Sequence, residues 1–128
     1  MSPHAFAKYV FWTATIWGVL VITPLYFLYD RIGVTDPPPI THPGFYYGFV
    51  CTALAWQVLF AFIALDPERH VGIMPVAMLE KFGYAATVFA LFAQHRMHAS
   101  DLVFGLVDAT LGLMFLVTFF RLRRAKSR

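Results

Sequence analysis

The chain has 128 residues, 59% of them hydrophobic and 13% charged, and its ten Lys and Arg outweigh seven Asp and Glu for a net charge of +3. A small soluble fold needs a polar exterior that this composition does not supply, so a water-soluble domain is excluded and one membrane domain covering 1–128 is expected. No Gly-rich phosphate loop, nucleophile elbow or zinc-protease motif is present, so no reaction class is named by motif.

The first span is expected over about residues 6–30. Residues 9–29 carry no Asp, Glu, Lys or Arg, and the run exceeds the roughly 20 residues that cross a hydrocarbon core. Met1 to Lys8 holds one Lys, and the apolar run is too long for an h-region, so a retained helix is expected rather than a cleaved signal peptide. Pro24 removes a backbone donor and predicts a kink near Leu20. Trp12 and Trp17 lie within the span, and Tyr26, Tyr29 and Asp30 read as interfacial anchors at its end. Asp36-Pro37-Pro38-Pro39 and His42-Pro43 predict that 31–43 runs as an extended, stiff strap.

A second uncharged span is expected over 43–65, with Ala53, Gln57, Ala61 and Ala64 on one stripe. Phe45-Tyr46-Tyr47 at its start reads as an aromatic belt, and the lone Cys51 has no internal partner for a disulfide. Asp66-Pro67-Glu68-Arg69 reads as an N-cap followed by Pro at the first helical position.

The third span, about 73–94, is interrupted by Glu80-Lys81, and the fourth, about 101–122, by Asp108. In the third, Ala77, Glu80, Tyr84, Thr87 and Leu91 share a side, with Lys81 pointing about 100° away from Glu80. The two neighbours are therefore not expected to serve one site equally. In the fourth, Asp101, Gly105, Asp108, Gly112 and Phe115 form a stripe of small residues around a polar one, the pattern of close-packed membrane helices. Whether that stripe faces the third helix or a second subunit is left open by the sequence. Arg121, Arg123, Arg124, Lys126 and Arg128 crowd the tail, which the positive-inside rule places in the cytoplasm next to anionic lipid rather than on nucleic acid. Short loops then predict an all-α, integral membrane antiparallel four-helix bundle with both termini cytoplasmic.

Ionisable side chains at bilayer depth are costly, which makes Glu80, Lys81 and Asp108 the candidate site. Counting about 1.5 Å per residue from each end puts the two carboxylates about 10 Å apart along the membrane normal, too far for a direct pair. Gln57 is the expected hydrogen-bond partner for either, and Lys81 reaches Asp108 or the inner interface. Gln57, Glu80, Lys81, Tyr84 and Asp108 then form either a polar clasp that sets helix register or a polar spot at the base of an apolar cavity. In the second case a carboxyl is a proton donor or binds a ligand hydroxyl or amine. Fourteen Phe are expected to face lipid or fill the bundle rather than line an isoprenoid, quinone or sterol pocket. No metal site is expected. His95, His98 and Asp101 are the weak candidates, because His residues three apart on a helical turn share one side, with Asp30, Asp36 and His42 in the same outer group.

Asp66-Pro67-Glu68-Arg69-His70, Met74-Pro75, Leu79-Glu80-Lys81-Phe82-Gly83-Tyr84 and Gly105-Leu106-Val107-Asp108 resemble the inner half of small bacterial DoxX-like four-helix membrane proteins. His42-Pro43-Gly44-Phe45-Tyr46-Tyr47-Gly48-Phe49 and Ala55-Trp56-Gln57 are similar to relatives of that group, so the likeness covers about 42–121. It implies the fold and a multi-pass location in the bacterial inner membrane, and, through DoxX itself, a subunit of a quinone-linked system. Pro24 with Asp30, and Gln57, are similar to features of the emopamil-binding and sigma-2 type proteins, which implies sterol or amine binding. The His and Glu pattern of a sterol isomerase is absent. The expected function is an accessory subunit or non-enzymatic binding protein. The alternative is binding of a lipid, quinone or sterol-like ligand, or a redox-linked role, at Glu80 and Asp108. Proton-coupled transport ranks last. The cofactor is left open by the sequence, with a bound lipid or quinone as a candidate; membrane lipids are the expected partners, with a larger membrane complex or homo-oligomer as a further candidate.

Overall fold

A computed structural model describes residues 1–128 as helices and turns with no strand. Helix α1 (Pro3–Ile22) is opened by Ser2, whose Oγ accepts the Ala5 N–H at 3.1 Å, and by Pro3 at a position where its missing N–H costs nothing. The first span does not continue to residue 30 as one kinked helix. The chain tightens into a 3-10 turn over Thr23–Phe27, beginning beside Pro24, and a separate short helix α2 (Tyr29–Thr35) follows. The break falls just past the expected kink, because Pro24 cannot donate into the preceding turn.

Helix α2 also corrects the strap, which is helical to Thr35 and irregular only over 36–42. Its own sequence, with Gly33 and three β-branched residues, argues weakly for a helix. Tertiary contacts hold it. Tyr29 donates its hydroxyl to the Ile40 carbonyl at 2.7 Å, and its ring stacks on Tyr47 at 5.4 Å. Gly33 lies so close to Pro39 that a Cβ would sit 3.0 Å from its Cα. Tyr46 donates to the Leu25 carbonyl at 2.6 Å, adding to the long 3.4 Å bond that carbonyl accepts from the Leu28 N–H at the helix break. The interfacial tyrosines therefore pin helix to helix.

Helix α3 (Pro43–Leu65) matches its expected bounds. Asp66 is not the N-cap of the next long helix: it ends α3, and its Oδ1 accepts the Arg69 N–H at 3.3 Å to shape a turn. A 3-10 turn (Val71–Ile73) then leads into α4 (Met74–Ala93), with Pro75 in its first turn. Helix α4 closes with the Arg96 N–H on the Leu91 carbonyl at 2.9 Å and the His95 N–H on Phe92 at 3.0 Å, with His95 at φ 57°. This is a Schellman end whose left-handed position favours glycine. His95→Gly is expected to stabilise the protein by up to about 1 kcal/mol, measured as a rise in the thermal unfolding midpoint in detergent. A 3-10 turn (Ala99–Asp101) opens α5 (Leu102–Lys126), whose last turn carries Arg123, Arg124 and Lys126, favourable at a helix C-terminus.

Four helical segments, Pro3–Phe27, Pro43–Leu65, Val71–Ala93 and Ala99–Lys126, are long and apolar enough to cross a membrane. Large apolar side chains such as Leu20, Leu79 and Val58 face outward along them, as a lipid-embedded surface requires. The protein is a helical, multi-pass membrane protein.

Helix α1 packs on α3 and α5, and α4 on α5, whereas the α3 and α4 backbones stand apart and meet through side chains such as Phe60 and Lys81. Gly105 and Gly112 are spent inside the chain: a Cβ on either would come within 2.8 Å of Val88 or Phe82 of α4. Contacts place Met1, the 66–70 turn and the basic tail at one end. Arg121 Nη2 donates to the Met1 carbonyl at 2.8 Å, and His4 lies 3.3 Å from Glu68. The strap and the 94–98 turn share the other end, hereafter the loop end, where His98 Nε2 lies 2.9 Å from the Asp36 carboxylate.

The two halves of the bundle differ. Toward the terminal end, Ala7, Ala14, Ala64 and Ala77 let the helices approach around a buried core. Phe11 stacks on Phe115 at 4.2 Å, with Phe60 edge-on to Phe115 at 5.2 Å. Toward the loop end, bulky residues stand apart and leave a hollow.

Candidate functional site

The hollow is a cavity of about 250 Å³ between the two helix pairs. Helix α1 contributes Trp17, Gly18 and Val21; α3 contributes Phe49, Ala53 and Gln57; α4 contributes Glu80, Lys81 and Tyr84; α5 contributes Phe104 and Asp108. All five residues of the expected polar group therefore line one space. Asp101, expected in an outer metal group, lines it as well.

Lys81 is the centre of the group, not its outlier. Helix α4 buries Met74, Ala77, Met78, Lys81, Ala85 and Val88, whereas Thr87 of the expected inward face is exposed. The buried face is rotated by about one residue from the expected one, because the apolar pattern of a membrane helix carries little amphipathic signal. Lys81, 3% exposed, donates from Nζ to Asp108 Oδ1 at 3.2 Å and lies 3.6 Å from Glu80 Oε2. The second distance makes an ion pair but is too long for a hydrogen bond. The ammonium also rests 5.1 Å from the centroid of the Phe60 ring, so the aromatic core forms its floor.

Lys81 thus brings together two carboxylates that axial counting had set apart. With Val88 beside Gly105 and Phe82 beside Gly112, Asp108 stands about one helical turn toward the loop end from Lys81, and the long Lys81 side chain spans that offset to reach it. Side-chain direction did not separate the neighbours either: Glu80 and Lys81 straddle the junction of helix and cavity, and four flexible methylenes carry Nζ to both acids.

Gln57 does not serve a carboxylate. Its Nε2 donates to the Ala53 carbonyl at 2.9 Å within α3, and its Oε1 has no protein partner although the residue is 1% exposed. The amide fits against Gly18 of α1, where a Cβ would overlap it. Glu80 Oε2 is also buried without a hydrogen bond. Two acceptors are therefore open, and the charge count is two carboxylates to one ammonium. Unpaired buried acceptors cost about 1–3 kcal/mol each, and an excess charge in a low-dielectric interior costs more. A donor-rich or cationic group would relieve both.

His95 does not join His98 and Asp101, which both neighbour Asp36. The 94–98 segment is a helix end rather than a continuing turn, so the two imidazoles do not share a helical side; His98 turns to Asp36 and to the Pro37 carbonyl at 3.2 Å. No group of three or more His, Cys, Asp or Glu side chains is placed to hold a metal ion. Trp17, Gly18, Phe49 and Phe104 were missed as lining residues. Gly18 offered a faint signal, as a small residue in the half of α1 that faces Gln57.

No family model, curated protein or solved structure matches this chain.

Proposed function

We infer that the protein is a membrane binding protein whose ligand is an apolar molecule with an amine head group. The observation that carries this reading is the Glu80–Lys81–Asp108 cluster, one carboxylate in excess, lining an aromatic-walled cavity with Gln57, whose Oε1 is buried and unpaired at its edge. An ammonium brings three donors and one positive charge, which matches both the open acceptors and the charge count. Trp17, Phe49, Tyr84 and Phe104 suit the apolar body and a cation beside it. No bond-making group is required, so the activity is binding, alone or as the ligand-holding subunit of a larger assembly.

The surrounding frame belongs to the same reading: an antiparallel four-helix bundle of DoxX-like type in a bacterial inner membrane, termini cytoplasmic. Contacts descend along paired helices in its favour: Gly18 meets Gln57 while Phe11 meets Phe60, and Gly105 meets Val88 while Gly112 meets Phe82. The Arg-rich tail beside Met1 supplies the charge bias for a cytoplasmic end.

A purely structural clasp is favoured by one observation, the Lys81–Asp108 hydrogen bond tying α4 to α5. Native mass spectrometry of protein released from its own membrane in mild detergent separates the two. A stoichiometric apolar amine, lost in Glu80→Gln and in Asp108→Asn, is the expected result. Partner chains with no small ligand, unaffected by either substitution, would instead establish an accessory subunit with a clasp.

A further inference from the structure

The cavity is too small for the ligand it is suited to hold. Its volume of about 250 Å³ falls below the roughly 300–1,000 Å³ of pockets that enclose drug-sized molecules. A molecule apolar enough to reside in a bilayer must leave part of itself outside.

Packing leaves an exit on one side. At the α3–α4 boundary the backbones approach little and the helices meet through side chains, while α1 closes on α3 and α5 closes on α4. Outside that boundary lies a second hollow of about 520 Å³, lined by Gly44, Phe45, Gly48, Thr52 and Trp56. Phe49, Ala53, Glu80 and Tyr84 line both hollows and so frame a window between them. Phe49 and Tyr84 stack nearly parallel across it, ring centroids 6.3 Å apart, and close it until one ring turns to another rotamer. Gly44 and Gly48 have nothing within 4 Å of where a Cβ would stand, unlike Gly105 and Gly112, which are consumed by helix packing. From Gly44 to Trp56 the bare helix surface runs for about 18 Å, the scale of a hydrocarbon chain.

A second helix could also lie on glycines, but it would do nothing for the acceptors inside. Glu80 Oε2 and Gln57 Oε1, both buried beside the cavity, lack hydrogen-bond donors, and an apolar helix face has none to offer. The occupant therefore carries a polar head and a slender apolar remainder.

The geometry points to a single-chain amphiphile, its amine head in the cavity at Glu80, Asp108 and Gln57 and its hydrocarbon chain passing the Phe49–Tyr84 window into the α3–α4 groove, exposed to the bilayer. This rests on the reading of the cavity as an amine site. The ligand then reaches the protein from the membrane rather than from water.

The test is photolabelling of the full chain in phosphatidylcholine nanodiscs with tetradecylamine carrying a diazirine at its chain end. Labelling that unlabelled tetradecylamine suppresses is expected on residues 44–56 and Tyr84, and about tenfold weaker in Gly48→Leu, which adds bulk to the groove and replaces no carboxylate. Suppressible, Asp108-dependent labelling confined to Trp17, Val21 and Phe104, and indifferent to Gly48→Leu, would overturn the groove while leaving the amine site standing. Suppressible labelling absent everywhere, from protein that retains its native unfolding transition, would overturn both.

Discussion

Lys81→Met is expected to destabilise the protein by about 3–5 kcal/mol, the cost of leaving buried charges without their partner. Lys81 is the one cation in contact with Glu80 and Asp108, whose side chains are only 17% and 13% exposed. Methionine keeps most of the volume over Phe60, so the loss reports charge rather than packing. Adding Glu80→Gln and Asp108→Asn to Lys81→Met is expected to recover most of the loss, because an uncharged set no longer needs the ammonium. Unfolding followed by SDS titration in mixed micelles reads all three forms. A Lys81→Met protein within about 1 kcal/mol of the parent would mean that water or lipid head groups already reach the carboxylates.

Phe115→Ala is the second large effect, expected at about 3–5 kcal/mol as a cavity in a close-packed region. Phe115 is fully buried, stacks on Phe11 and meets Phe60 edge-on, joining α5 to α1 and α3. The hydrophobic effect does not drive packing within a bilayer, so this loss is dispersion contact that lipid chains cannot restore inside the bundle. Phe104→Ala, on the same helix but lining the cavity at 37% exposure, should cost less than about 1 kcal/mol. Equal losses from both substitutions, in the same unfolding assay, would show that the loop-end half is packed as tightly as the terminal half.

These contrasts bear on what a sequence of this kind discloses. Span existence was legible because twenty uncharged apolar residues have few structures open to them in a chain this rich in such runs. The bounds of α3 follow from Pro43 and from Asp66 on either side of an uninterrupted stretch. The five residues of the polar group were legible because ionisable and amide side chains stand out against an apolar background. Helix faces were less legible. With polar residues so sparse, the apolar periodicity of the third span left its rotation open by about one residue, enough to exchange Glu80 for Lys81 at the buried centre.

Helix α2 was hidden for a different reason. A proline-rich run after it argued for extended chain, while the contacts that hold it come from Tyr46, Tyr47 and Ile40, distant along the chain. Local propensity is a weak guide where tertiary hydrogen bonds decide. The turn at Asp66 shows the same ambiguity in small form, since a carboxylate that shapes a turn and one that caps a helix have identical local sequence signatures.

By itself the sequence determined that four segments are long and apolar enough to cross a membrane, the bounds of the uninterrupted second one, and which few polar side chains sit among them, because hydrophobic length and rare charge are one-dimensional properties. The tertiary structure decided that Lys81 joins Glu80 to Asp108, that Gln57 keeps a free acceptor behind Gly18, and that α3 and α4 stand apart over open glycines. Those depend on the relative level and rotation of neighbouring helices, which shape complementarity between small and aromatic side chains sets only once the helices are packed.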